Sequence, residues 1–384
     1  MTPRILIHVQ HLLGVGHLMR AAALSKALSE DGLEVMLVSG GMPHDGLDVG
    51  RAAFVQLPAL QAQEASYTTL VDTTGRPIDD VFRAHRRDML LAMVQGFDPH
   101  VIITEHFPFG RGKLRFELDP LLAHLSSRPQ RPLCLASVRD IIEPPESSKK
   151  EERFLADANE HYDAILVHGD PAFVPFDQSF PAAARLKPPV MYTGYVGKAL
   201  PKPSARRSGI LVSCGNGRTG QGLVEAALNA HKLDDLNEDW EIRLGAGFEP
   251  AEPIEREAAH LPRLTVTKAH PRFAAALAQT ALSVSQAGYN TIVDIATAQA
   301  NAILVPYAGH GEREQSVRAH ALERAGQAVL VAEESLSPAT LLTAMKNASA
   351  TQFRPNSERP FRLGGAQQTV TLVKEAIAAS GYHI

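Results

Sequence analysis

Short apolar runs alternate with helical stretches along the whole chain. In the first half the runs fall at 5–9, 35–38, 55–57, 101–104, 133–138 and 165–167. Helical stretches lie between them, near 18–30, 79–96, 117–126 and 149–161. Strand-length runs separated by helices are the pattern of βαβ units and of a parallel sheet. After Val196 the segment GKALPKPSARRS, rich in Pro, Lys and Arg, reads as a linker. A second series opens at Ile210 with ILVSCGNGRTGQGLVEAAL and continues at 242–244, 264–266, 282–284, 303–305 and 329–331. Each half starts the same way: strand, glycine loop, helix. The expected fold class is α/β, with two doubly wound Rossmann-like domains facing a cleft. The expected boundaries are 1–196, a linker at 197–208, 209–363, and a last helix at 364–384.

Composition narrows the class. The 384 residues are 45% hydrophobic and 21% charged, normal for a globular protein. A net charge of −4 argues against broad nucleic-acid binding. The two cysteines, Cys134 and Cys214, lie in or at the end of apolar runs and read as reduced core residues. No run of about 18 apolar residues suggests a transmembrane helix, and MTPRILIHVQHLLG has no secretory cleavage pattern. The expectation is a cytoplasmic protein.

Polar residues gather where strands end and helices begin. In 281–326, Ser285 and Gly288 close one strand, and Thr291 and Asp294 sit three apart in the helix start that follows. A hydroxyl and a carboxylate on one face can take a phosphate oxygen and a ribose diol, beside the free N–H groups of a helix start. Glu314 and Gln315 open the next helix on the same edge. A second glycine loop, Ser213-Cys214-Gly215-Asn216-Gly217-Arg218-Thr219, could cradle a diphosphate, with Arg218 adding charge. The first glycine loop holds Gly14, Gly16, His17 and Arg20. Its spacing fits neither a dinucleotide loop nor a Walker loop. Glu105-His106, Arg139-Asp140 and His168-Gly169-Asp170 close strands of the first half. Arg83, Arg86 and Arg87 read as a solvated helix face, with an acceptor pocket or anionic lipid as other roles. There is no G-x-S-x-G motif and no Cys/His cluster of zinc spacing.

Ser285, Gly288, Thr291, Asp294, Val305-Pro306, Glu312, Glu314 and Gln315 together resemble the donor site of GT-B glycosyltransferases of family 28, the peptidoglycan N-acetylglucosaminyltransferase type. There the pattern has Glu where this chain has Asp294, one methylene shorter. G-x-G-H-x-x-R at Gly14 to Arg20 is similar to that family's first loop, and more closely to that of nucleotide-sugar hydrolases of pseudaminic acid synthesis. The resemblance implies an inverting glycosyltransferase using a nucleotide diphosphate sugar, with a UDP-sugar as the expected donor. It implies His17 as the catalytic base and Gly14, Gly16 and Arg20 as a phosphate or acceptor loop; Asp140 and Glu105, with the other strand-end residues of the first half, are expected as acceptor contacts or alternative bases by their position alone. It places the nucleobase near His270 and Phe273 and returns the last helix to the first domain. No cofactor and no metal is expected. The acceptor would be a small molecule, glycan or lipid-linked hydroxyl, and the last would bring peripheral contact with the inner membrane face. A monomer or weak dimer fits. Rival readings are a nucleotide-sugar hydrolase, a nucleotide-sugar 2-epimerase and an inactive binder.

Overall fold

The structure, a computed structural model, describes residues 2–12, 14–63, 69–197, 206–215, 218–233, 237–245, 247–268, 273–309, 313–350 and 361–381, with backbone alone at 218, 349 and 350. It divides into two compact units: Met1–Val196 with Arg362–Ile384, and Gly197–Phe361.

In unit 1, seven parallel strands form one sheet: β1 (Arg4–Val9), β2 (Glu34–Ser39), β3 (Ala53–Gln56), then β6 (Val101–Glu105), β7 (Leu133–Arg139), β8 (Ala164–His168) and β9 (Val190–Tyr192). A small antiparallel pair, β4 (Gln61–Ala62) and β5 (Leu70–Val71), lies between them in sequence. The sheet order is β3-β2-β1-β6-β7-β8-β9. β6 and β8 are buried along their whole length, as strands covered by helices on both faces must be. Alternation in β1 divides its apolar residues between the two faces. Leu6 joins one core cluster, and Ile5, Ile7 and Val9 join the other.

The helix Gly16–Glu30 buries Leu18, Ala21, Leu24 and Leu28 in that second cluster. The last helix, Gly365–Ala379, packs on the same cluster through Ala366, Val370, Val373 and Ile377. It is tethered by backbone: Tyr195 N–H donates to the Arg362 carbonyl (2.8 Å) and Gly365 N–H to the Tyr195 carbonyl (3.0 Å). The approach is close enough that a Cβ on Gly365 would lie 2.4 Å from the Gly194 carbonyl oxygen.

Arg86 departs from the expected solvated face. It is fully buried, grips both carboxylate oxygens of Glu117 (2.6 and 2.7 Å), and donates to the Gly40 and Pro58 carbonyls and to Gln10 Oε1. Arg83 and Arg87 do face solvent. Arg86 falls on the inner side of the helix Asp80–Phe97, with Leu90 and Val94, so its charge needed a partner that helical period alone does not reveal.

Unit 2 repeats the plan with six parallel strands: β10 (Ser208–Ser213), β11 (Trp240–Leu244), β12 (Leu264–Lys268), β13 (Thr280–Ser285), β14 (Asn301–Leu304) and β15 (Ala328–Leu330). Their order is β12-β11-β10-β13-β14-β15. Both cysteines are buried and free. Among the described residues no helix is long and apolar enough to cross a membrane.

Candidate functional site

In each sheet the strand order reverses beside the first strand: between β1 and β6 in unit 1, and between β10 and β13 in unit 2. The crevice outside the carboxyl ends at such a point is where open α/β sheets take ligands. Both glycine loops leave their sheets at these points.

In unit 1 the loop after β1 delivers His17 to the first turn of the helix Gly16–Glu30, and β6 delivers Glu105. His17 Nδ1 lies 2.9 Å from Glu105 Oε1. Arg20, buried one helical turn on, pairs with the same oxygen, and Ser137 Oγ donates to Glu105 Oε2 (2.6 Å). Behind Ser137 stands His168, its Nε2 2.9 Å from Ser137 Oγ and its Nδ1 2.8 Å from Thr193 Oγ1. Burial favours the neutral Glu105, but Arg20 and the Ser137 hydroxyl outweigh it and hold the carboxyl below its usual range. An ionised carboxylate only accepts. Arg20 Nη2 also lies 3.2 Å from His17 Nδ1, but the carboxylate oxygen is the nearer neighbour, and a proton on Nδ1 facing it leaves the lone pair on Nε2. Burial, reinforced by Arg111, Arg20 and Arg139, pushes the imidazole well below its ordinary pKa. The carboxylate pulls the other way, but Arg20 already neutralises it.

A second imidazole stands close. His106 follows β6 in left-handed backbone (φ 70), and its ring lies 5.0 Å from that of His17. Burial, then His17 and Arg111, pushes it well below the usual value too. His11, just past β1, is lowered to about 4, chiefly by burial. The site is thus lined by neutral imidazoles among guanidinium groups.

Asp140 is placed differently. It is wholly buried, accepts from its neighbour Ile141 N–H (2.9 Å) and from the Tyr195 hydroxyl (2.7 Å), and so ties β7 to the segment after β9. Glu105 is an acceptor hub for three side chains, and Arg20 is its counterion. These positions suit orienting groups better than a base or a free phosphate ligand.

In unit 2, β10 ends at Ser213, and Gly215 turns the chain in left-handed backbone (φ 66). Thr219, exposed, lies in the turn that opens the helix Gln221–Lys232. β13 ends at Ser285, and Gly288, which has no side chain to cap with, precedes the helix Tyr289–Ala298. The N–H groups of a helix start and the helix dipole suit a phosphate. Thr291 lies in the first turn and Asp294 in the second, both half-buried. Two glutamines brace these loops. Gln286 Nε2 donates to the Thr219 carbonyl (3.0 Å), and Gln315 Oε1 accepts from Ala287 N–H and Tyr307 N–H (3.1 Å each). Glu314 pairs with the buried Arg318, whose guanidinium lies 5.7 Å over the Tyr289 ring. Glu314 and the Gln315 carbonyl therefore shape the loops, while the Gln315 amide nitrogen is not used in that bracing. Phe273 opens the short helix Phe273–Leu277. His270, Gly217, Glu312 and the side chain of Arg218 lie outside the described residues.

Residues 210–368 match the glycosyltransferase family 28 C-terminal domain. The whole chain is similar to the calicheamicin glycosyltransferase CalG4, with 14% identity, full coverage of both chains and a TM-score of 0.65. Over 97% of this chain and all of the other, it is similar to MurG of Acinetobacter baumannii (17% identity, TM-score 0.58). Over 97% and 99%, it is similar to the Streptomyces sp. SF2575 glycosyltransferase SsfS6 complexed with thymidine diphosphate (16% identity, TM-score 0.59). The fold is GT-B. No curated protein matches the sequence. The matched domain and these neighbours support a glycosyltransferase enzyme. The matched span contains Ser213, Gly215, Gly288, Thr291, Asp294 and Gln315; His17 and Glu105 lie outside it.

Sequence reasoning missed Gln286, Ser137 and Arg111. Gln286 is one residue past β13 and could have been found as a polar residue at a switch point. Ser137 and Arg111 reach the site only through packing between elements.

Proposed function

We propose that the protein is an inverting glycosyltransferase that moves a sugar from a nucleotide diphosphate sugar, a UDP-sugar in our reading, to a hydroxyl acceptor. One observation carries the mechanism: His17 Nδ1 lies 2.9 Å from Glu105 Oε1, a carboxyl that Arg20 and Ser137 hold below its usual range, which favours the proton on Nδ1 and leaves the lone pair on Nε2. This is how a carboxylate fixes the tautomer and orientation of a catalytic imidazole. Nε2 takes the proton of the acceptor hydroxyl as its oxygen attacks the anomeric carbon. The bond to the diphosphate breaks on the opposite side, so configuration inverts. The leaving diphosphate gains negative charge, which the N–H groups of the Tyr289–Ala298 helix start and the Gly215 loop stabilise. Thr291 takes a phosphate oxygen and Asp294 the ribose diol. The family 28 match over 210–368 and the thymidine diphosphate bound by SsfS6 support a nucleotide in unit 2.

The test is a panel of nucleotide sugars, with and without candidate acceptors, followed by nucleotide release and product analysis. Transfer that needs an acceptor and inverts the anomeric configuration is the expected result. Rapid acceptor-free release that disappears in His17→Ala would instead make the protein a nucleotide-sugar hydrolase. A new nucleotide-sugar isomer would make it an epimerase.

A further inference from the structure

Arginines crowd His17. Arg20, Arg111 and Arg139 all act on the His17 ring, while Glu105, the carboxylate that touches it, is already neutralised by Arg20. Arg111 has no such partner among the described residues. It is half-buried, and its Nε donates to the Gln10 carbonyl (2.7 Å). No ion pair engages its two remaining nitrogens among the described residues. Burial, with Arg139 and Arg20 pressing on it, lowers its pKa to about 10, although Glu105 and Glu143 act in the other direction. A guanidinium fork short of anions has the geometry to bind an oxyanion through two parallel hydrogen bonds.

The loop that carries Arg111 is built under strain. His106 and Arg111 are both non-glycine residues in left-handed backbone (φ 70 and 58). Non-glycine residues are costly to hold in this region and cluster at active sites and ligand clamps. Between them, Gly110 packs so tightly that a Cβ there would lie 2.3 Å from His106 Cδ2. His106 itself is buried, and among the described residues its Nδ1 has no hydrogen-bond partner. The Nδ1 of His11, buried just past β1, has none among them either. Arg139 is two residues beyond Ser137 on β7 and so shares the face that reaches Glu105.

We propose that the 106–111 loop, with Arg139 beside it, is an oxyanion site next to His17, and that the acceptor carries a phosphate or carboxylate close to the hydroxyl that receives the sugar. The substrate assignment rests on the reading of His17 as the base; the site itself does not. Arg111 grips the oxyanion through its fork, and neutral His106 offers its unpartnered ring nitrogen as a hydrogen-bond donor.

The experiment uses the full chain with ¹³C-labelled histidine and no donor. Methyl phosphate and acetate are titrated separately while the imidazole signals are followed by NMR. Binding should shift the His17 and His106 signals, and the stronger of the two probes identifies the acceptor's anion. Arg111→Gln should weaken binding about ten- to a hundredfold, the usual worth of a charge-assisted contact. Arg111→Lys, which keeps charge but loses the fork, should fall between and serves if Arg111→Gln does not fold. Asp294→Ala should bind as the native protein does. Equal affinity in native and Arg111 variants, or a response that vanishes in Asp294→Ala, would overturn the site. Because no nucleotide sugar is present, a failed turnover assay bears on the proposed function alone, and a failed titration on this site alone.

Discussion

His17 owes its chemistry to groups that are remote in sequence. A histidine after a glycine loop at the start of a helix was legible as a candidate base, because local pattern places it at a sheet edge. Its tautomer was not legible. That depends on Glu105 at the end of β6, on Arg20 and on Ser137 of β7, which meet only when the strands pair. Burial and three arginines lower its pKa. His17→Ala should reduce turnover about 10²–10⁴-fold, the usual contribution of a positioned base, with donor affinity unchanged by calorimetry. The sign of the pH effect follows from the same groups. A base with a lowered pKa is already unprotonated near neutrality, so kcat/KM should be flat there. Its acid limb should fall below about 6.5, the ordinary histidine value. An inflection at or above that value would mean that another group titrates or that His17 is not held as described.

At the scale of elements, long strand runs and helix starts were the readable part, since their apolar period is local. What escaped was the pairing of polar groups between elements. Arg86 shows why: its helix is amphipathic, but one arginine falls on the inner face and finds Glu117 on the helix Arg115–Ser126. Arg86→Met should cost about 3–5 kcal/mol, because the Glu117 charge would be left buried without its bidentate partner, with the His8 imidazole 3.5 Å away beside it. Adding Glu117→Met should recover much of that loss in denaturant midpoints; no recovery would show that the pair's other hydrogen bonds matter more than its charge. Unit 2 offers a steric counterpart at Gly220. A Cβ there would lie 2.1 Å from Cys214 Cβ and 2.9 Å from the Cys214 carbonyl oxygen. Backbone cannot yield as a flexible side chain does, so Gly220→Ala should cost about 1–3 kcal/mol. It should also weaken nucleotide binding, since the strained turn carries the Thr219 carbonyl that Gln286 holds. A variant with native stability and native nucleotide affinity would show that this loop is less tightly built than its contacts imply.

At the scale of the molecule the chemistry rests on how a sugar diphosphate's charge is met. Enzymes that meet it with Mg²⁺ or Mn²⁺ supply hard oxygen ligands, commonly a carboxylate pair. The chain has no Asp-x-Asp. Its adjacent acids Asp79 and Asp80 serve the helix Asp80–Phe97, one by accepting from Phe82 N–H (2.8 Å) and the other by pairing with Arg83 (2.8 Å). Among the described residues no group of three His, Cys, Asp or Glu side chains is placed to hold a metal. The loops of unit 2 offer a different solution. The helix Tyr289–Ala298 starts behind a glycine and turns its first N–H groups to the sheet edge, and Gly215 lets the backbone approach a ligand closely. Fixed backbone dipoles can stabilise a developing diphosphate charge without a cation. Turnover should therefore persist in excess EDTA, measured with the donor and acceptor that the substrate panel identifies. Loss of activity in EDTA that Mg²⁺ or Mn²⁺ restores would mean that a cation shares the diphosphate, and that the helix start of unit 2 is only part of the leaving-group site.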